Sequence, residues 1–379
     1  YKELIIGGYK GIDIFEASDS SYLEYRTTIT SYPNHPYRKN SAVIDEKNYW
    51  NKAHIPSQDT VILPSGTIVI FFSSDYSVSG RYYELYYSYS YDYGKKWSTP
   101  ATLNDDSLYG SDVPQNETLV SAYYDETDDL IYITWYAHIK ENNQLDKYVI
   151  YFKQIYPTNL STKGSIVKVV SSTSDFALDL KIWPYSRLAL PYYYDMGISY
   201  FNKSDSALYF YVRRHSLFGS VSWVPHPITQ KIKYVYNSIF AFPSDFKHDI
   251  TYIGDNNYIL VYTGVNTNES YPSVDIWITT ANDSFIWNRP TQIADTPGYD
   301  SYPVVEYYAE TNTIIVLFMS ITSRFHYDIY VASSTNRGST WSEMYMLNKW
   351  HPKIIEICNV TTRYYYPTER GLGEIAVHY

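Results

Sequence analysis

Carboxylates, tyrosines and asparagines carry whatever chemistry this sequence offers, because the more reactive residue sets are missing. There is no His-Glu-x-x-His, no Gly-x-Ser-x-Gly and no Gly-rich phosphate loop. Nine histidines are scattered without metal-ligand spacing, and the single cysteine, Cys358, allows neither an internal disulfide nor a cysteine-based zinc site. No metal or cofactor is expected. Paired carboxylates such as Asp75 and Glu117 could serve a glycosidase, provided they stand about 5–10 Å apart. Six asparagines occupy Asn-x-Ser/Thr with no proline between: Asn116, Asn159, Asn202, Asn268, Asn282 and Asn359. With the low charge they point to a secreted, glycosylated protein on a cell or virion surface. The first residue is Tyr1 rather than Met, which fits a removed leader or a fragment of a longer chain.

The chain that must position these groups has 379 residues, 18% of them charged, and a net charge of −10. That balance argues against nucleic acid as a partner, since no basic stripe is available to neutralise phosphates. No apolar run approaches the roughly 18 residues of a membrane span. Tyrosine is the anomaly: 47 residues, far too aromatic for a disordered chain. Tyrosine suits β-strands, where its ring packs on the pleat while its hydroxyl reaches water or a partner.

Short runs rich in Val, Ile, Tyr, Phe and Thr recur in threes, as in Thr60–Leu63, Thr67–Phe72 and Tyr83–Ser88. The same triplet returns with Thr118–Tyr123, Leu130–Trp135 and Tyr148–Phe152, then with Asp179–Trp183, Arg187–Leu190 and Ala207–Val212. Two further sets start at Asp249 and at Tyr302, so the repeat is about 60 residues long. After most third runs comes a tight turn closed by tryptophan. Ser90-Tyr-Asp92-Tyr-Gly94-Lys-Lys-Trp97 is the clearest, and Ser334-Thr-Asn336-Arg-Gly338-Ser-Thr-Trp341 repeats it. A worn copy holds Asn282 and Trp287, while Ser216 and Trp223 keep only the ends. The Asp or Asn binds backbone amides inside the turn, Gly supplies a positive φ, and Trp anchors the hairpin between sheets.

Ser-x-Asp-x-Gly-x-x-Trp resembles the Asp-box, or BNR repeat, of sialidase-like β-propellers. The resemblance implies that the box joins the third and fourth strands of a blade and is structural. It implies an all-β, six-bladed β-propeller of four-stranded antiparallel blades spanning residues 1–379 as one domain. In that arrangement the N-terminal strands of residues 1–30 complete a last blade with residues 350–379, closing the ring from both termini and hiding free sheet edges.

The same resemblance puts a site on the axis, at the inner strands. Sialidases clamp a carboxylate with three arginines, because a guanidinium fork binds it in two places. Here His54-Ile55-Pro56 stands where the family has Arg-Ile-Pro, so the first arginine is absent. Asp75 matches the family's acid/base position, with Arg81 nearby; Arg324 is the best of the remaining arginines. Glu117, His248, Asp249 and Tyr302 also fall where a side chain can face the axis. Tyr364 to Tyr366, near Glu369 and Glu374, are available as a nucleophile and its base. Without the clamp, the expectation is a recognition or assembly module that binds glycans or surface proteins, not a working sialidase. A secreted glycoside hydrolase with an altered axial pocket is the alternative. The low charge and the many tyrosines and sequons also resemble surface proteins of heat- and acid-loving archaea and their viruses, since carboxylates lose their charge in acid.

Overall fold

The computed structural model describes residues 2–8, 11–19, 22–30, 57–74, 83–92, 94, 96–104, 109, 114, 116–140, 146–189, 191–202, 204, 207–216, 219–226, 240–241, 246–266, 273–282, 287–294, 296, 299–323, 326–346 and 372–378. The chain divides into two compact units, Tyr1–Ile182 with Arg370–Tyr379, and Trp183–Glu369. Its strands, β1 to β25 in chain order, make an all-β propeller of antiparallel up-and-down blades.

In the first unit, β1 (Lys2–Gly8), β2 (Gly11–Asp19) and β3 (Tyr22–Thr30) form a sheet with β25 (Leu372–His378), which pairs antiparallel with β1. Strands from both ends of the sequence therefore share one blade. Residues 350–371, expected in the same blade, fall outside the described residues. The next blade is β4 (Gln58–Ile62), β5 (Ile68–Ser74), β6 (Glu84–Ser90) and β7 (Ala101–Thr102). The third is β8 (Asn116–Asp125), β9 (Leu130–Ile139), β10 (Lys147–Ile155) and β11 (Thr162–Ser172).

The second unit begins at Trp183, inside β12 (Ala177–Ala189), whose sheet continues with β13 (Tyr192–Asn202), β14 (Ala207–Ser216) and β15 (Val221–Pro225) in that order. It also holds β21 (Tyr299–Tyr308), β22 (Thr313–Ser323), β23 (His326–Ser334) and β24 (Tyr345–Met346). Between them lie β17 (His248–Tyr252), β18 (Asn257–Asn266), β19 (Ser273–Asn282) and β20 (Thr291–Ala294). In that sheet β16 (Phe240–Ala241) pairs with β18 as well, which makes it five-stranded. The expectation of six four-stranded blades is thus corrected: among the described residues there are five, because the two residues of β16 extend β18 beyond its pairing with β17. A second correction concerns Arg187–Leu190, expected as a separate strand. β12 runs through to Ala189, and the second strand of that blade is the tyrosine-rich β13.

Burial follows position in the blade. β5 is buried along its whole length and β9 nearly so, whereas β11 at the blade edge is mostly exposed. Inner strands are covered on both faces, so they read as continuous apolar runs. Val69, Phe71, Val120, Ile133, Trp135 and Tyr151 belong to one apolar cluster spanning two blades of the first unit. In the second unit the Trp183 indole fills the space over Gly197, where a Cβ would lie 2.2 Å from the ring.

The tryptophan turns lie between third and fourth strands. Ser90 ends β6 and Ser334 ends β23. In the first, Ser90 Oγ donates to Asp92 Oδ1 (2.9 Å), Gly94 N–H donates to Ser90 Oγ (2.8 Å) and Lys96 N–H to Asp92 Oδ1 (2.8 Å). In the second, Ser334 Oγ donates to Asn336 Oδ1 (2.9 Å), Gly338 N–H to Ser334 Oγ (2.9 Å) and Thr340 N–H to Asn336 Oδ1 (2.9 Å). Gly94 and Gly338 have φ of 78° and 82°, a region that favours glycine. Trp341 packs on the cluster of Ile259, Val261, Ile278 and Val305, while Trp97 Nε1 donates to Gly94 O (2.9 Å). Asn282 ends β19, and Trp287 is buried and bridges Ala281 of the same strand.

Candidate functional site

Glu117, the second residue of β8, is fully buried. Asn104 Nδ2 donates to its Oε1 (2.9 Å), and the Tyr109 hydroxyl makes a short bond to the same oxygen. Asn104 Nδ2 also donates to the Tyr109 hydroxyl (2.7 Å). On its other side Asn104 Oδ1 accepts from Lys153 Nζ (3.2 Å), which donates to Leu103 O as well (2.7 Å). The asparagine therefore relays between a buried lysine and a buried carboxylate. Backbone bonds fix the segment, since Leu103 N–H donates to Leu85 O (2.8 Å) and Glu117 N–H to Tyr83 O (3.1 Å). Tyr151 meets Tyr109 edge-on at 5.3 Å and stacks with Trp135 at 5.6 Å, walling the cluster with rings.

Electrostatics follow from burial. Desolvation pulls the Lys153 ammonium down to about 8, and the Glu117 carboxylate opposes that shift. Desolvation and the Glu117 charge both push the Tyr109 phenol well above its ordinary value. A carboxylate, an amide, a phenol and a lysine of lowered pKa thus form one buried hydrogen-bonded network.

The second unit has a counterpart. Asp300, second residue of β21, is also fully buried. It accepts from Thr296 Oγ1 (2.5 Å) and N–H (3.3 Å), and Thr296 Oγ1 lies 2.5 Å from Ser320 Oγ. Two residues after each carboxylate stands a non-glycine residue of positive φ, Leu119 (53°) and Tyr302 (55°), inside a register shift of the strand. Each irregular strand is bound by an aspartate of the preceding blade's first strand. Asp59 Oδ2 accepts from Ser121 Oγ and Ala122 N–H (both 2.9 Å), and Asp249 Oδ2 accepts from Val305 N–H (2.9 Å). Asp249 is thus a fastener between strands.

Of the other expected residues, His248 is fully buried with Nε2 2.8 Å from Ser199 Oγ, against Phe246. Tyr302 is buried beneath Lys247, whose ammonium lies 5.8 Å from the ring centre. His54, Asp75, Arg81 and Arg324 lie outside the described residues, as do Tyr364 to Tyr366 and Glu369. Half-buried Glu306 is raised to about 8 by burial, with the Asp249 charge adding to the shift. Sequence reasoning missed Asn104, Tyr109, Lys153 and Asp300. The signal for Lys153 was there: it is the one charge inside the apolar run Val149–Ile155. Among the described residues no group of three or more His, Cys, Asp or Glu could hold a metal ion. Among the same residues no helix is long and apolar enough to cross a membrane.

No protein-family model and no curated protein matches the sequence. Solved structures do. An α-L-arabinanase of Penicillium chrysogenum complexed with arabinobiose is 13% identical, covering 76% of this chain and 80% of its own, with a TM-score of 0.44. An α-L-arabinofuranosidase of Fusarium graminearum with an iminosugar inhibitor is 14% identical over 76% and 80%, TM-score 0.46. An ulvan lyase bound to its sugar is 11% identical over 85% and 70%, TM-score 0.46. At such scores the fold assignment rests on the sheet order itself.

Proposed function

We propose that this protein is an extracellular, glycan-directed propeller and a glycoside hydrolase with an altered site, not a sialidase. The observation that carries the reading is the buried Glu117–Asn104–Tyr109–Lys153 network. Burying a carboxylate and an ammonium costs several kcal/mol per ion before their attraction is counted, and an apolar pair would hold the blade at less cost. Buried groups of strongly shifted pKa concentrate at functional sites. In this reading Glu117 is the acid/base carboxylate, Asp75 supplies the second carboxylate that hydrolysis needs, and Asn104, Tyr109 and Lys153 position Glu117. His54 in place of the family's arginine argues against a sialic acid carboxylate as the group recognised.

The test is a panel of chromogenic glycosides. Arabinosides come first, because the arabinanase and arabinofuranosidase above are named for that chemistry. Turnover of one glycoside class is expected, falling on the order of 10²–10⁴-fold in Glu117→Gln. The second reading is recognition without turnover, favoured by the complete burial of Glu117 and by exposed rings such as Tyr91 (71%) and Tyr345 (51%). Binding on a glycan array with no turnover of any glycoside would select it.

A further inference from the structure

The described sequons differ in what their asparagine amides can do. Asn159 sits exposed in the turn between β10 and β11, where Oδ1 accepts from Ser161 N–H (3.0 Å) and Ser161 Oγ (2.7 Å). Asn202 ends β13, and its Oδ1 accepts from Ser204 N–H (2.9 Å). In both, the third residue of the sequon folds back on the amide oxygen, so these bonds engage Oδ1 rather than Nδ2. Asn116 differs. Whereas Asn202 stands at a hairpin end, paired with Ala207, Asn116 is bridged on both sides, by His138 and by Tyr83; its Oδ1 is buried, and the next residue is the fully buried Glu117. The backbone of this sequon can move only by opening its pairing with β9, next to the Glu117 network.

We infer that Asn159 and Asn202 are N-glycosylation sites of the folded protein and that Asn116, despite its sequon, is not. The inference rests on the extracellular part of the proposed function, not on hydrolysis. In the transfer step Nδ2 bonds to C1 of the sugar, the C1–O bond to a lipid pyrophosphate donor breaks, and the pyrophosphate leaves. The proton lost from Nδ2 passes to the transferase base and on to solvent.

The experiment uses purified folded protein with an oligosaccharyltransferase and a lipid-pyrophosphate-linked oligosaccharide, and maps glycopeptides by mass spectrometry. A denatured sample run alongside reports the intrinsic use of each sequon. Occupancy at Asn159 and Asn202 is expected in the folded sample, and each signal disappears in Asn159→Gln or Asn202→Gln. Asn116, which must wait for local unfolding, is expected to be at least about tenfold less occupied folded than denatured. Equal labelling of Asn116 in both samples would overturn the assignment. So would an unmodified Asn159 and Asn202 in folded protein whose denatured form accepts sugar at both. Neither outcome depends on glycoside turnover.

Discussion

The turns at residues 90–97 and 334–341 make the same bonds at the same positions, and differ mainly in Asp92 against Asn336. Glu117 and Asp300 also hold the same place, second in a first strand and two residues before a positive φ, yet the side chains gathered around them differ. Glu117 takes an amide and a phenol with a lysine behind them, while Asp300 takes a threonine with a serine behind it. The outer turns repeat because each solves one local problem, closing a hairpin. The strand starts diverge because their backbone frame, a bulge fastened by Asp59 or Asp249, leaves the side chains free to vary. Scaffold and site can thus be told apart by which bonding pattern is copied and which is not.

The sharpest way to break this contrast is to orphan a charge. Glu117→Leu leaves Lys153 buried without its carboxylate and is expected to cost about 3–5 kcal/mol in denaturant unfolding, with Glu117→Leu/Lys153→Met recovering most of it. Equal losses in the single and double variants would show that Glu117 matters only as packing. Ser90→Ala and Ser334→Ala should each cost about 1–2 kcal/mol by leaving turn amides unpaired, and the two losses should add. A large difference between them would deny that the turns are equivalent.

A smaller effect separates the two units by pH. Lys153 has a folded pKa lowered to about 8 from 10.5, so between those values the unfolded chain holds the proton more tightly. Stability should therefore rise with pH from about 8, by at most about 1.4 kcal/mol per unit, until the tyrosines of raised pKa reverse the trend above pH 10. Glu306, raised from 4.5 to about 8, acts in the opposite sense: the folded chain holds its proton more tightly, so stability should fall from pH 4.5 to 8. Unfolding midpoints across pH should lose the upper slope in Lys153→Met and the lower one in Glu306→Gln. The smallest expected effect is Asn336→Asp, which gives the second turn the first turn's residue and should shift stability by less than about 0.5 kcal/mol.

What was legible in the sequence was local. Ser90 to Trp97 carry their hydrogen bonds within eight residues, so spacing alone exposed the turn and, through it, the blade repeat. Glu117 could be picked by its place at a strand start, but Asn104, Tyr109 and Lys153 reach it from a loop and from a strand two away. β13 escaped because Tyr192 to Tyr194, Asp195 and Gly197 break the apolar alternation, although Gly197 is what admits Trp183. The two-residue β16 that spoils a sixth four-stranded blade offers no periodicity at all. His248 was selected for its strand position, and its contact with Ser199 crosses between blades.

The central claim is that Glu117 is site and the turns are scaffold. It is tested most directly by measuring glycoside turnover for the wild type, Glu117→Gln and Ser334→Ala side by side at a temperature where all three are folded. Turnover is expected to fall on the order of 10²–10⁴-fold in Glu117→Gln and to stay at the wild-type level in Ser334→Ala. Full turnover in Glu117→Gln would contradict the account.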